Sequence, residues 1–293
     1  MLIRRSLLYV PGSSPKMIAK SFAIDADGII FDLEDSVSPA EKEDARQAVV
    51  KVLAGAKQTD KEVIVRVNVA DSYLGIHDIL AIVPERPNAI IVPKADERTV
   101  VIADAMIGAI EDRMGWEPDT VKLIPLMETA GSIVNAARII GAARRVDGLQ
   151  FGAEDLTKDL CIARTTEGDE LQYARSVLVF AGRARGIDII DSPFPDHGNA
   201  QGLIAETRRV RALGMTGKTC IHPSQIAPVN QLFTPASDDV AQALRVVEAF
   251  DQAVRQGKGA CALDGKMIDA PIAERARRVI EKAALIQARS VKP

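Results

Sequence analysis

The sequence predicts a single (β/α)8 barrel with a helical extension at its C-terminal end, and three observations carry this expectation. Eight short apolar runs recur through the first three-quarters of the 293 residues. Most are continuous stretches of Ile, Leu and Val rather than alternating ones, as in strands buried on both faces of a parallel sheet. Segments with helical spacing separate them, at roughly 22–40 residues per strand–helix unit. A doubly wound open sheet is the competing architecture. Eight units and the lack of a glycine-rich dinucleotide turn favour closure.

In chain order the strand candidates are Ser6–Val10, Gly28–Phe31, Val63–Val67, Ala89–Val92, Lys122–Met127, Gly148–Phe151, Asp188–Ile190 and Lys218–Ile221. Helical spacing marks Ala40–Leu53, Arg98–Met114, Ala130–Ala142, Leu171–Arg185 and Ala200–Leu213, where charged residues such as Glu170, Arg175 and Arg183 stand among apolar ones. After the eighth run the pattern changes. Ser237-Asp238-Asp239 reads as a helix start with acids in its first turn, and Val240, Leu244, Val247 and Phe250 form one stripe. That helix should end near Gly257. A loop over 257–270 then leads to Pro271, a residue favoured at the first helical position, and a last helix to about Arg289. The expected division is a barrel over 1–235 and an extension over 236–293 that serves as lid or oligomerisation element.

Composition narrows the partners. With 37 basic and 40 acidic residues, a net charge of -3 and 4% aromatics, nothing points to a nucleic acid or an anionic membrane. Cys161, Cys220 and Cys261 are far apart and show no CxxC spacing, which fits a reducing compartment. The apolar run Ser6–Val10 is too short for a signal segment or a membrane span, so the expected location is cytoplasmic.

Barrel enzymes place their chemistry at the C-terminal ends of the strands. The predicted strand ends here carry Asp32, Glu34 and Asp35, then Arg66 with Asn68, Lys94, Glu128, Glu154 with Asp155, Asp191 and His222. Glu128 and Asp155 end neighbouring strands about 4.8 Å apart, so their carboxylates can converge. Two carboxylates with open positions suit Mg2+, which keeps waters and prefers oxygen ligands; the alternative is a pair of loop-capping acids. Arg66, a cation inside an apolar strand, requires an anionic partner. That partner is either a substrate carboxylate or an acid of the ring, with Glu34 and Asp35 the nearest in sequence. Lys94 reads as a site residue or a solvated loop residue. His222, before Pro223, reads as structural, and no histidine spacing fits zinc.

These segments resemble the HpcH/HpaI aldolase–citrate lyase beta subunit family over nearly the whole chain. The resemblance is carried by Arg5-Ser6-Leu7-Leu8-Tyr9-Val10-Pro11-Gly12, Phe31-Asp32-Leu33-Glu34-Asp35-Ser36-Val37, Arg66-Val67-Asn68, Val92-Pro93-Lys94, Phe151-Gly152-Ala153-Glu154-Asp155 and Asp264-Gly265-Lys266-Met267-Ile268-Asp269. It implies Mg2+ on Glu128 and Asp155, substrate contact by Arg66, and Glu34 and Asp35 around them, holding metal-bound waters or orienting Arg66. Asp269 matches the family's catalytic acid/base, with a capping role ahead of Pro271 as the alternative. The resemblance further implies a homotrimer or hexamer in which one subunit's extension closes a neighbour's site. Lys16 and Arg5 are expected near the phosphates of coenzyme A.

The implied reaction is reversible Claisen cleavage of a malyl-, citramalyl- or citryl-type 3-hydroxyacyl-CoA to an acyl-CoA and a 2-oxo acid. Thr129-Ala130 stands where citryl lyase subunits more often carry Ser-Ala, a departure that leaves malyl- and citramalyl-type thioesters open. Rival readings are a class II aldolase acting on free hydroxy-oxo acids, a malyl-CoA-type thioesterase, and a subunit active only with an acyl-carrier protein partner.

Overall fold

In the computed structural model, which describes residues 3–55 and 59–290, eight parallel strands close into a barrel. They are β1 (Ser6–Pro11), β2 (Gly28–Asp32), β3 (Glu62–Arg66), β4 (Ala89–Val92), β5 (Lys122–Met127), β6 (Gly148–Phe151), β7 (Asp188–Asp191) and β8 (Gly217–Cys220). Closure comes from β1 against β8, with Ser6 opposite Lys218 and Leu8 opposite Cys220. Helices alternate with the strands, so the expected (β/α)8 fold is the one observed. One helical expectation changes: the stretch 130–142 is broken at Asn135 into Ala130–Val134 and Ala136–Gly141.

By packing, the chain divides into two compact units, Arg4–Asn230 and a second that begins at Gln231. The expected boundary at 235/236 falls in the link between the helices Ile226–Phe233 and Ser237–Arg255. In the barrel unit, the inward residues Leu7, Ile30, Ile64, Ala89, Ile91, Ile124, Leu126 and Ile190 form one buried cluster, and Tyr9 packs against it. Apolar β-branched and leucyl side chains fill the bore, so polar groups that need water or a ligand are displaced to its ends.

The N-terminal end is sealed by charge pairing. Arg4, 4% exposed, bonds Glu62 at 2.6 and 2.8 Å and reaches Asp147 and Asp188. Beside it, Arg5 forms two bonds to Asp27 through its guanidinium, at 2.8 and 2.9 Å. Arg5 therefore lies at the start of β1, a strand length away from the end where the site residues gather.

The C-terminal unit packs Ser237–Arg255 against Ala270–Ser290 around Ala243, Val246, Phe250, Ile268, Ala273 and Ala276. The segment expected as a loop contains a hairpin instead, β9 (Ala260–Leu263) and β10 (Lys266–Asp269). Its two-residue turn is Asp264-Gly265, both with positive φ (51° and 75°). Asp-Gly is favoured there because the twist of a tight hairpin demands left-handed backbone at both positions.

Candidate active site

The C-terminal strand ends surround a cavity of about 470 Å3 lined by Tyr9, Asp32, Arg66, Glu128, Gln150 and Asp155 among others. Its cationic side is fixed by strand register. Asp32 and Arg66 are directly paired residues of β2 and β3. The guanidinium lies in a two-pronged bond to the carboxylate, Nε to Oδ1 at 2.7 Å and Nη2 to Oδ2 at 2.8 Å. Asp32 also accepts backbone N–H groups from Glu34 and Ser36, at 2.9 and 3.0 Å. Burial alone would raise the Asp32 carboxyl, but Arg66 and these donors hold it below the usual carboxylate range.

Arg66 thus finds its main partner in Asp32, one of the strand-end acids, rather than in Glu34 or Asp35. Its Nη1 lies 3.0 Å from Glu34 Oε2 and 3.5 Å from Asp35. The Glu34 oxygen is off the guanidinium's hydrogen-bonding directions and keeps an unfilled acceptor. Its other oxygen accepts from Lys94 Nζ at 2.5 Å. Burial nevertheless leaves the Glu34 carboxyl above its ordinary value, because Arg66 and Lys94 offset desolvation only in part.

Lys94 is held in the left-handed region (φ 47°), a conformation that is strained for a side chain other than glycine. That backbone directs its N–H onto Glu128 Oε1 at 2.6 Å. Glu128 follows β5 and is 2% exposed. Gly152, after β6, is shaped around it: a Cβ there would stand 2.6 Å from Glu128 Cβ and 2.8 Å from Oε2. Asp155 sits in the first turn of the next helix (Ala153–Asp159) with 26% of its side chain exposed. Burial, and then the nearby charges of Glu34 and Asp155, push the Glu128 carboxyl up to about 8 despite the Lys94 N–H.

This donor set fits a hard divalent cation. Only oxygen donors gather there, and Glu128 spends one oxygen on a single backbone N–H. The carboxylates around it repel one another in a way a cation would relieve. Glu128 and Asp155 are the carboxylates that could hold it. Among the described residues no cluster of three or more His, Cys, Asp or Glu is arranged around a common centre. Two protein ligands match a Mg2+ ion that retains waters.

Several expected residues fall elsewhere. Arg5 does not reach the cavity, because its guanidinium is bonded to Asp27 at the opposite end of the barrel. Lys16 is on the cavity's end, exposed in the helix Pro15–Ser21 beside the cavity-lining Met17. Asp191 is fully buried with Arg175 and Lys218, at 2.9 and 2.5 Å, and does not line this cavity; its neighbours Ser192 and Pro193 do. Asn68 is spent on Leu33 O, Asp78 and Lys42, whereas Glu154 does line the cavity, with one oxygen accepting from Arg164. His222 caps a short turn through Ser224 and stacks on His197 at 4.7 Å. Asp269, in the C-terminal unit, accepts the Ile272 N–H at 3.2 Å and so caps the last helix.

Two cavity residues escaped the sequence reading. Tyr9 and Gln150 lie inside apolar strand runs, and a hydrogen bond of 2.8 Å joins them, Gln150 Nε2 donating to the phenol oxygen. The signal available was a lone amide in the buried run Gly148–Phe151.

A family model for the HpcH/HpaI aldolase/citrate lyase family matches residues 5–223. The chain belongs to this family. It is 39% identical to the citrate lyase subunit beta of Haemophilus influenzae over 284 residues, covering 97% of this chain and 98% of that one. It is 36% identical to a (3S)-malyl-CoA thioesterase of Cereibacter sphaeroides, with coverage of 97% and 96%. Among solved structures, protein CitE of Mycobacterium tuberculosis in complex with magnesium, acetoacetate and coenzyme A superposes with a TM-score of 0.78. It shares 30% identity, and 95% of this chain and 97% of that one are covered.

Proposed function

We propose that this family member is a Mg2+-dependent carbon–carbon lyase that reversibly cleaves a 3-hydroxyacyl thioester of the malyl, citramalyl or citryl type to an acyl thioester and a 2-oxo acid. The observation that carries the reading is the crowding of Glu128 by Asp155 and Glu34 beside Arg66, at the mouth of the barrel. The relatives fit it: the H. influenzae relative is a citrate lyase subunit, and the M. tuberculosis structure holds magnesium, acetoacetate and coenzyme A.

When bound, the metal supplies a Lewis acid at the oxygen that becomes the carbonyl of the 2-oxo acid. Glu128 and Asp155 would hold it. Arg66, fixed in direction by Asp32, offers its remaining N–H surface to the substrate's carboxylate or to negative charge developing on oxygen. Cleavage breaks the bond between the hydroxyl-bearing carbon and the thioester α-carbon. The hydroxyl gives its proton to solvent, the carbonyl forms, and the electron pair passes to the thioester as an enolate. Asp269 of a neighbouring subunit would deliver a proton to that carbon, and remove it in condensation. Glu34 and Asp35 orient Arg66 and any metal-bound water. Lys16 is kept as a contact for the coenzyme phosphates. A homotrimer or hexamer supplies the neighbouring Asp269.

Purified protein incubated with malyl-, citramalyl-, methylmalyl- and citryl-CoA, with Mg2+ or EDTA, tests the reading. Metal-dependent appearance of a 2-oxo acid together with an acyl-CoA is expected. Free coenzyme A without a 2-oxo acid would replace it with thioester hydrolysis, the reading that the C. sphaeroides relative favours. Turnover only after addition of an acyl-carrier protein would make the chain a partner-dependent subunit.

A further inference from the structure

The floor of the cavity contains a polar pair that the mechanism does not use. Tyr9 is on β1 and Gln150 on β6, strands that are not neighbours in the barrel, so their 2.8 Å hydrogen bond spans the bore. It lies above the apolar plug formed by Leu7, Ile30, Leu126 and their neighbours. Gln150 is 2% exposed, and its Oε1 has no hydrogen-bond partner. The phenol oxygen takes its hydrogen from the amide, which leaves the phenol's own proton without a protein acceptor among the described residues. A buried amide with an idle oxygen costs on the order of 1–3 kcal/mol, which an apolar residue at the same place would avoid. Both residues line the cavity that holds Arg66, Glu128 and Asp155.

We propose that Tyr9 and Gln150 are specificity-determining residues that select a substrate whose 2-oxo acid half carries a further oxygen function, a hydroxyl or a carboxylate, where a simpler substrate carries a methyl group. The inference rests on the proposed lyase reading and deepens it. With the amide as it stands, the Tyr9 proton donates to the substituent oxygen, and a hydroxyl there donates back to Gln150 Oε1. Half a turn of the amide gives the complementary setting: Tyr9 donates to Oε1, and Nε2 donates to a carboxylate. Either setting fills the idle group, and a methyl fills neither. A site with buried polar groups rejects an apolar analogue because those groups lose water and gain nothing. This preference runs against the expectation raised by Thr129-Ala130 and rests on different residues.

The test uses the 2-oxo acids themselves, so it does not depend on turnover. Binding of pyruvate, hydroxypyruvate and oxaloacetate to the Mg2+-loaded protein is measured by calorimetry for wild type, Tyr9→Phe and Gln150→Leu. Both variants keep side-chain shape, and Tyr9→Phe keeps the ring on which Arg66 lies at 5.0 Å. At least one oxygenated acid is expected to bind more tightly than pyruvate in wild type. Each variant should reduce that preference by roughly 10- to 100-fold while changing pyruvate affinity little. Loss confined to hydroxypyruvate or to oxaloacetate identifies the substituent. A preference that is absent in wild type, or unchanged in both variants, overturns the proposal and leaves the lyase reading standing. Failure of all three acids to bind wild type with Mg2+ overturns both.

Discussion

Asp32 and Arg66, at adjacent positions of neighbouring strands, form a two-pronged ion pair at 2.7 and 2.8 Å that fixes the direction of a guanidinium in the cavity wall. Asp32→Asn removes the charge but not the shape. Breaking a buried pair costs about 3–5 kcal/mol, and the low end applies because Glu34 remains 3.0 Å from the same guanidinium. Because the Asp32 carboxyl is depressed in the folded state, its contribution is complete above the ordinary carboxylate range and is lost as pH falls through the lowered value. Thermal melts should show a gap between wild type and Asp32→Asn at pH 7 that narrows on acidification. Activity should fall at least roughly tenfold, because Arg66 loses its orientation.

Glu128 has the opposite sign. Its folded-state value is raised to about 8 without a metal, so the folded protein binds the extra proton between the ordinary carboxylate value and about 8. Stability of the metal-free protein therefore declines as pH rises through that window. Mg2+ competes with this proton, so its affinity should climb with pH and level off above about 8, with proton release visible in buffers of different ionisation enthalpy. Glu128→Gln should melt higher than wild type at pH 8.5 in EDTA, yet gain no stability from Mg2+.

Away from the cavity, Lys218, Arg175, Asp191 and Glu206 form a buried charged cluster, with Lys218 Nζ 2.5 Å from Asp191 and 2.7 Å from Glu206. Lys218→Met leaves two carboxylates sharing Arg175, a loss of about 3–5 kcal/mol. At about 2–4 °C per kcal/mol, the melting temperature should drop by roughly 6–20 °C. Adding Asp191→Leu should recover part of the loss, because a paired apolar replacement removes the stranded charge.

The Asp269 side chain accepts the Ile272 N–H at 3.2 Å as a helix cap. Asp269→Asn keeps a side-chain oxygen for that cap, so the melting temperature should stay within about 2 °C. If the carboxyl transfers the proton, turnover should fall by roughly 10²- to 10⁴-fold. A fall reversed by mixing with a Glu128→Gln partner would locate the acid on a neighbouring subunit, since only a mixed oligomer then contains one intact site.

The barrel was legible because a strand buried on both faces has little freedom of composition: β4, β5 and β6 begin and end where their apolar runs do. Strand ends were legible for the same reason, which is how Asp32, Arg66, Glu128 and Asp155 stood out. What failed depended on contacts distant in sequence. Asp191 ends a strand like the others, yet Arg175 and Lys218 draw it into the wall. Arg5 belongs to a motif whose other end reaches the cavity, and a strand length separates the two. The hairpin of β9 and β10 is short and half exposed, so only Asp264-Gly265 marked it. Tyr9 and Gln150 acquire meaning only across the bore.

The most direct test of the central claim is the Mg2+ dependence of thioester cleavage in wild type and Asp155→Asn, followed by release of the 2-oxo acid. Wild type is expected to be silent in EDTA and restored by Mg2+, with half-saturation in the variant raised at least roughly tenfold. Cleavage that persists in EDTA, or an unchanged Mg2+ requirement in Asp155→Asn, would contradict a metal held by Glu128 and Asp155.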